Sequence, residues 1–215
     1  MRNMLFFISL LVIMVQCTQK QFDQRKYVSL NGAWMLELNT SASSMPSEFT
    51  RRIPVPGLAD MAKPQFDSIG EYQAGDKYLW YKKTFTLQEN LPVVRLKINK
   101  AKFGTKVFVN GNPVGERIYC FTPTMFQIQD HLKEPGEKNE LIIRVGAAPE
   151  NLPDTIPYGY DPEKNKYIPG IYDNVQLICS NKPFISNVQI SPNIQDDEIK
   201  VQVRLKDKAS SEEIE

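Results

Sequence analysis

Apolar and polar positions alternate along most of this chain. Trp34, Leu36 and Leu38 alternate with Met35 and Glu37; Tyr81, Lys83, Phe85 and Leu87 with Lys82, Thr84 and Thr86; Val94, Leu96 and Ile98 with Arg95, Lys97 and Asn99. A period of two marks a strand that lays one face on a core and the other in water. Further strands are expected over 106–109, 141–145, 174–179, 185–190 and 199–205, and only 129–133 reads as a helical turn. Within KVFVNGNPVG, Asn110-Gly111 separates two apolar-alternating runs, the strongest short-range signal for a tight hairpin because both turn residues tolerate positive φ. The hairpin is expected to set the register of the segment that follows. Phe121 and Phe126 should then fall on the core, and Tyr119 joins them only where its hydroxyl finds a partner. Trp34 and Trp80 are expected in the core as well.

Many short strands with no βαβ signal imply an all-β, antiparallel architecture. A two-sheet sandwich of the jelly-roll kind closes most of its edges and accommodates long connections. The longest lie at 40–75 and 147–171, and their prolines and aromatics argue for order. A boundary is expected at 180–183. Beyond it come two strands and a polar tail, too little to bury a core of their own.

The amino end reads MRNMLFFISLLVIMVQC: a positive charge at Arg2, an apolar run over 5–15, then Gln16 and Cys17. The run has the length of a secretory h-region and falls short of the roughly 20 residues of a spanning helix. A cysteine just after the run points to a lipoprotein signal with Cys17 lipidated, although Gln16 departs from the small residue usual there. Ordinary secretion and an uncleaved anchor remain the alternatives. Each exports the protein, to the periplasm or cell envelope. Residues 18–26 are expected to be a polar tether.

The chain has 215 residues, 15 prolines and a net charge of +1, with its Lys and Arg scattered among acidic residues. No basic stripe is present to neutralise phosphates, so nucleic acid is not an expected partner. Membrane contact is expected only through the lipid anchor. Besides Cys17 there are Cys120 and Cys179. Cys179 continues the alternation of Val175 and Leu177 and reads as a buried apolar residue; a disulfide to Cys120 stays open.

Catalytic chemistry is thin. The acidic runs Asp196, Asp197, Glu198 and Glu212, Glu213 read as solvated charge in a turn and a tail. Nothing nearby could bury one of them and raise its pKa, so no catalytic carboxylate pair is expected. The single histidine, His131, has no companion ligands and no Gly-x-Ser-x-Gly elbow, so neither a metal site, a cofactor nor a triad is expected. The loop YGYDPEKNKY differs. It gathers Tyr158, Tyr160, Asp161, Asn165 and Tyr167 within ten residues, supplying aromatic faces for a sugar ring and carboxylate or amide groups for its hydroxyls. The competing reading makes DPEKN an ordinary turn opened by Asp161-Pro162.

Seven segments in order resemble the N-terminal sugar-binding domain of glycoside hydrolase family 2, the family of β-galactosidases, β-glucuronidases and β-mannosidases: SLNGAW, IPVPG, WYKKTF, VFVNGNPVG, FTPTMFQIQDHL, NELIIRV and GIYDNVQL, spanning 29–177. The resemblance implies a galactose-binding-like jelly roll over 27–181, followed at 182–215 by the first strands of an immunoglobulin-like sandwich. It also implies a parent enzyme that hydrolyses O-glycosyl bonds with carboxylates on a barrel absent from this sequence. A truncated product, inactive alone and bound to β-glycosides only when joined to such a barrel, is therefore expected. In the family an acidic residue of the loop before the matching glycine holds the substrate sugar; Asp161 is the nearest match here, with Asn165 the alternative. The competing functions are a free-standing carbohydrate-binding surface lipoprotein and a purely structural module.

Overall fold

The computed structural model describes residues 25–71 and 77–207. The signal segment, Cys17 and most of the tether lie outside the described residues. Fifteen strands follow in order: β1 (Lys26–Ser29), β2 (Gly32–Asn39), β3 (Arg51–Val55), β4 (Gly57–Leu58), β5 (Tyr78–Thr86), β6 (Val93–Ile98), β7 (Ala101–Lys102) and β8 (Thr105–Val109). The rest are β9 (Asn112–Arg117), β10 (Thr124–Gln127), β11 (Lys138–Gly146), β12 (Gly170–Ile171), β13 (Val175–Ser180), β14 (Phe184–Asn193) and β15 (Glu198–Lys206). Three 3-10 turns, at Ala59–Met61, Gln129–His131 and Pro149–Asn151, are the only helical pieces among the described residues.

Two antiparallel sheets make the body. One has four strands in the order β1-β13-β6-β10, the other six in the order β3-β2-β5-β11-β8-β9. The chain passes from one to the other between β1 and β2, between β5 and β6, and on either side of β10, as in a two-sheet sandwich. Trp34, Leu36, Tyr81, Leu141 and Ile143 from the larger sheet meet Leu96, Ile98, Phe126 and Leu177 from the smaller, all but Phe126 at 1% exposure or less. Trp34 also satisfies its indole by donating Nε1–H to the Leu30 carbonyl at 2.8 Å. A three-stranded sheet, β4-β12-β7, closes one end. There the backbones pack too tightly for a side chain: a Cβ on Gly170 would stand 2.5 Å from the Gly57 carbonyl oxygen and 2.8 Å from Leu58 Cα.

The Asn-Gly turn forms as expected, with Asn110 at φ 51° and Gly111 at φ 81°, both in the left-handed region a type I′ turn requires. The Asn110 side chain also ties the hairpin to its surroundings. Its amide donates to the His131 carbonyl (2.7 Å) and to Asn139 Oδ1 (2.8 Å), and its oxygen accepts the Glu140 N–H (2.9 Å). Asn139 is 2% exposed and its Oδ1 also accepts the Lys133 N–H, so this pair of a buried and a half-buried amide anchors the turn, β11 and the 129–133 region together.

Several expectations change. The stretch 40–75 contains β3, β4 and a 3-10 turn, concealed by Pro54 and Pro56. Pro54 is tolerated because β3 is the edge of its sheet. Phe121 is not core: it is 44% exposed, with the Lys102 ammonium 5.5 Å from its ring centre. Trp80 is fully buried but on the outer face of the large sheet, where it stacks on Phe108 with centroids 5.7 Å apart. Arg95, placed in water by the alternation, is 5% exposed because the ring of Phe184 lies 4.2 Å over its guanidinium. Cys120 and Cys179 are both free and buried in separate apolar clusters.

Residues 184–206 form a two-stranded sheet apart from the others. Its pairs Ile185–Leu205, Val188–Val203, Ile190–Val201 and Pro192–Ile199 make one apolar ladder, while Asn187–Arg204, Gln189–Gln202 and Ser191–Lys200 make a polar one.

Candidate functional site

The connection 147–171 runs across the end of the sandwich and is held by its own side chains. Ala148 N–H donates to Asn151 Oδ1 at 3.0 Å, fixing the 3-10 turn. The Tyr167 hydroxyl then closes the distal part into a ring: it donates to the Asp161 carbonyl at 2.7 Å and accepts the Asp161 N–H at 2.9 Å. Tyr167 N–H in turn donates to the Gly70 carbonyl at 2.7 Å, and Lys166 pairs with Glu71 at 2.7 Å, so the loop is pinned to the segment before residue 72.

Tyr158 is the hub of the aromatics. Its ring meets those of Phe103, Tyr160 and Tyr167 edge-on, at centroid distances of 6.1, 6.3 and 5.5 Å, a geometry that aligns ring edges with ring faces. Burial, helped by Tyr167, Tyr160 and Glu150, raises the Tyr158 phenol above its usual range.

Three of the four sugar-contact candidates line one cavity of about 290 Å³: Tyr158, Tyr160 and Asn165, joined by Tyr167. Tyr160 is 70% exposed, with its ring free to meet a ligand. Asp161 is not among the lining residues. Its carboxylate accepts the Glu163 N–H at 3.0 Å, the Asx turn that the Asp-Pro sequence allows. The same cavity takes in Glu71, Glu150 and Lys164, which the sequence reading did not single out. Glu71 comes from a distant segment, and no local pattern connects it to 158–167. Hydrogen bonds from Lys166 and Ser68 hold its carboxyl below the usual range, leaving an ionised acceptor at the rim. Tyrosine faces, an amide and carboxylate acceptors suit a neutral, hydroxyl-rich ring. Among the described residues no group of three His, Cys, Asp or Glu side chains is placed to hold a metal, and no helix is long and apolar enough to cross a membrane.

Neither the family models nor the curated proteins give a match to this sequence. Solved structures do resemble it in fold. A β-glucuronidase of Faecalibacterium prausnitzii shares 21% identity at a TM-score of 0.65 over 88% of this chain and 37% of its own. A β-glucuronidase of Ruminococcus gnavus, in complex with D-glucuronic acid, shares 17% at 0.65 over 87% and 36%. A β-D-mannosidase of Dictyoglomus thermophilum shares 18% at 0.61 over 84% and 26%. At these identities the likeness establishes the fold, and the chain spans only about a third of these enzymes' length.

Proposed function

We propose that the chain is the non-catalytic, carbohydrate-contacting module of a β-glycosidase resembling glycoside hydrolase family 2, with a sandwich body over 27–181 and the opening strands of a second sandwich over 182–215. The observation that carries this reading is the cavity of Tyr158, Tyr160, Tyr167 and Asn165 at the end of a sandwich whose fold recurs in β-glucuronidases and a β-mannosidase. Stacking on tyrosine faces orients a sugar ring, and the amide and carboxylate groups exchange hydrogen bonds with its hydroxyls. The module would supply one wall of a pocket, and the catalytic carboxylates would come from elsewhere.

The test is direct. The protein should not turn over aryl β-glycosides, and titration with β-linked oligosaccharides should show weak binding that Tyr160→Ala or Asn165→Ala reduces several-fold without loss of fold. Joined to a catalytic barrel, Asn165→Ala should lower kcat/KM by about 2 kcal/mol, the scale of leaving a sugar-facing polar group unpaired. Asp161→Ala tests the residue matched by resemblance. The Asx turn favours scaffolding for it, and an equal loss in that variant would restore it to the contact set. Unchanged binding and kinetics in all three variants would leave the loop a purely structural support. Export with a lipid at Cys17 belongs to the same proposal: fatty-acid labelling should mark the wild type and not Cys17→Ser.

A further inference from the structure

A second and larger cleft, of about 520 Å³, lies on the other side of Tyr167 and Lys164. Leu58 of β4 and Lys102 of β7 bring the end sheet to its lining, and Phe121 and Tyr172 add aromatic surface. Four lysines line it, Lys100, Lys102, Lys164 and Lys166, and no carboxylate does among the described residues. Two of the four already have partners: Lys100 pairs with Asp173 at 3.4 Å and Lys166 with Glu71 at 2.7 Å. Among the described residues no carboxylate forms an ion pair with Lys102 or Lys164.

That imbalance is unfavourable in the free protein. Lys102 is half-buried, and burial together with the charge of Lys164 pulls its ammonium below the usual lysine range. Half-buried Lys102 and exposed Lys164 face the same cleft without an ion-pair partner among the described residues, so an anion entering it gains attraction to both and relieves their repulsion. The aromatic wall has a second unexplained feature. Phe121 is 44% exposed although it follows buried Cys120, and both the Lys102 ammonium and Gly159 lie beside its ring. A Cβ on Gly159 would stand 3.1 Å from Phe121 Cζ, so the glycine lets the loop close against the ring. An exposed ring beside unpaired cations matches a ligand with an apolar face and a negative substituent.

We propose that this cleft binds an anionic saccharide, with the carboxylate or sulfate ester of a sugar unit received between Lys102 and Lys164 and the apolar face of its ring laid on Phe121. The saccharide part rests on the carbohydrate reading above; the anion part rests on the lysines alone.

Calorimetric titration with four probes separates the two. A sulfated oligosaccharide and an oligogalacturonide test the two anion sources, a neutral cello-oligosaccharide of equal length tests sugar without charge, and inorganic sulfate tests charge without sugar. One or both anionic oligosaccharides should bind more tightly than the neutral probe, and raising the salt from 0.05 to 0.5 M, roughly a threefold shortening of the screening length, should weaken them. Lys102→Gln and Lys164→Gln should each reduce that binding about tenfold, the scale of one charge-assisted contact, and Lys200→Gln on β15 should not. Phe121→Ala should weaken the anionic oligosaccharides while leaving inorganic sulfate unaffected. The two anionic arms report which group the lysines prefer. Neutral and anionic probes binding equally, with both lysine variants silent, would overturn the inference and leave the carbohydrate reading standing. Inorganic sulfate binding as tightly as the oligosaccharides, with Phe121→Ala silent, would reduce the cleft to an anion site and overturn its saccharide half. No binding by any probe would defeat the inference and the carbohydrate reading together. Thermal melts of each variant separate lost binding from lost fold.

Discussion

The tetrapeptide Val-Arg-Leu-Lys occurs twice, at 94–97 in β6 and at 203–206 in β15, and the two copies meet opposite fates. In β6, Val94, Arg95 and Leu96 are at most 5% exposed, whereas in β15 Val203 is 52% exposed and Arg204 lies in water. Both are strands, paired antiparallel, so local propensity and alternation were sufficient to make each one extended. What differs is the number of neighbours. β6 lies between β13 and β10, with the large sheet against one face and Phe184 over the other. β15 has β14 beside it and nothing over its apolar ladder among the described residues. Alternation specifies a strand and names its apolar face; only a second layer converts that face into stability.

The largest effect expected from this contrast is in the body. Trp34→Ala should destabilise the protein by about 3–5 kcal/mol, since it empties the space of a side chain at 1% exposure and removes the indole bond to Leu30. Urea denaturation measures it. A loss below about 1 kcal/mol would mean that the two sheets do not form one cooperative core.

Next comes the Asn110–Asn139 amide pair behind the Asn-Gly turn. Asn110→Ala should cost about 2–3 kcal/mol, because it breaks the bonds to His131, Asn139 and Glu140 and places a non-glycine side chain at positive φ without a compensating hydrogen bond. Asn110→Gly keeps the backbone freedom and should recover about 1 kcal/mol of that. Equal losses in the two variants would assign the whole effect to the side-chain bonds.

This residue also shows how much the sequence discloses. Asn110-Gly111 announces a turn because a turn is local, and the strands on either side announce themselves by their period. The second role of Asn110, as a clasp on Asn139 and His131, joins positions 29 and 21 residues away and has no local mark. The end of the sandwich follows the same division. Tyr158, Tyr160 and Asn165 were readable as a cluster because one loop carries them, while Glu71 and the Lys102–Lys164 cleft assemble from segments far apart in the chain. Phe121 was misplaced for a related reason: its register after the hairpin follows from how Lys102 and the 147–171 loop pack, which alternation does not encode.

A smaller, pH-dependent effect is expected at the edge of the body. Burial alone would push the Glu37 carboxyl up, but the Thr50 hydroxyl (2.6 Å), the N–H groups of Leu38 and Thr50, and Arg51 (2.7 Å) together hold it below the usual range. Its folded value being depressed, its contribution is complete above the ordinary carboxylate range and is lost as pH falls through the folded value. Glu37→Gln should therefore lower stability by about 1 kcal/mol at pH 7, the size of a partly exposed ion pair. Wild type and variant should converge as the medium is acidified below pH ~4, a loss over the interval in which the wild-type carboxylate takes up its proton. A constant difference down to strongly acidic pH would mean that Glu37 acts by shape and not by charge.

The smallest effect is expected on the hairpin, where it is most informative. Ile190 and Val201 face each other across β14 and β15, yet they are 63% and 55% exposed, so truncating both removes little buried area. The double variant Ile190→Ala, Val201→Ala should change the unfolding midpoint of the body by an amount within about 0.5 kcal/mol, as for ordinary surface substitutions. Amide exchange sharpens this: β14 and β15 should exchange well ahead of β5 and β11, whose amides open only with the body. In a longer polypeptide that lays a second sheet on this ladder, the same pair should cost about 2–4 kcal/mol, because two β-branched side chains would then leave cavities. A loss above about 1 kcal/mol in the 215-residue chain, with β14 protected as well as β5, would show the ladder already covered and its likeness to β6 complete.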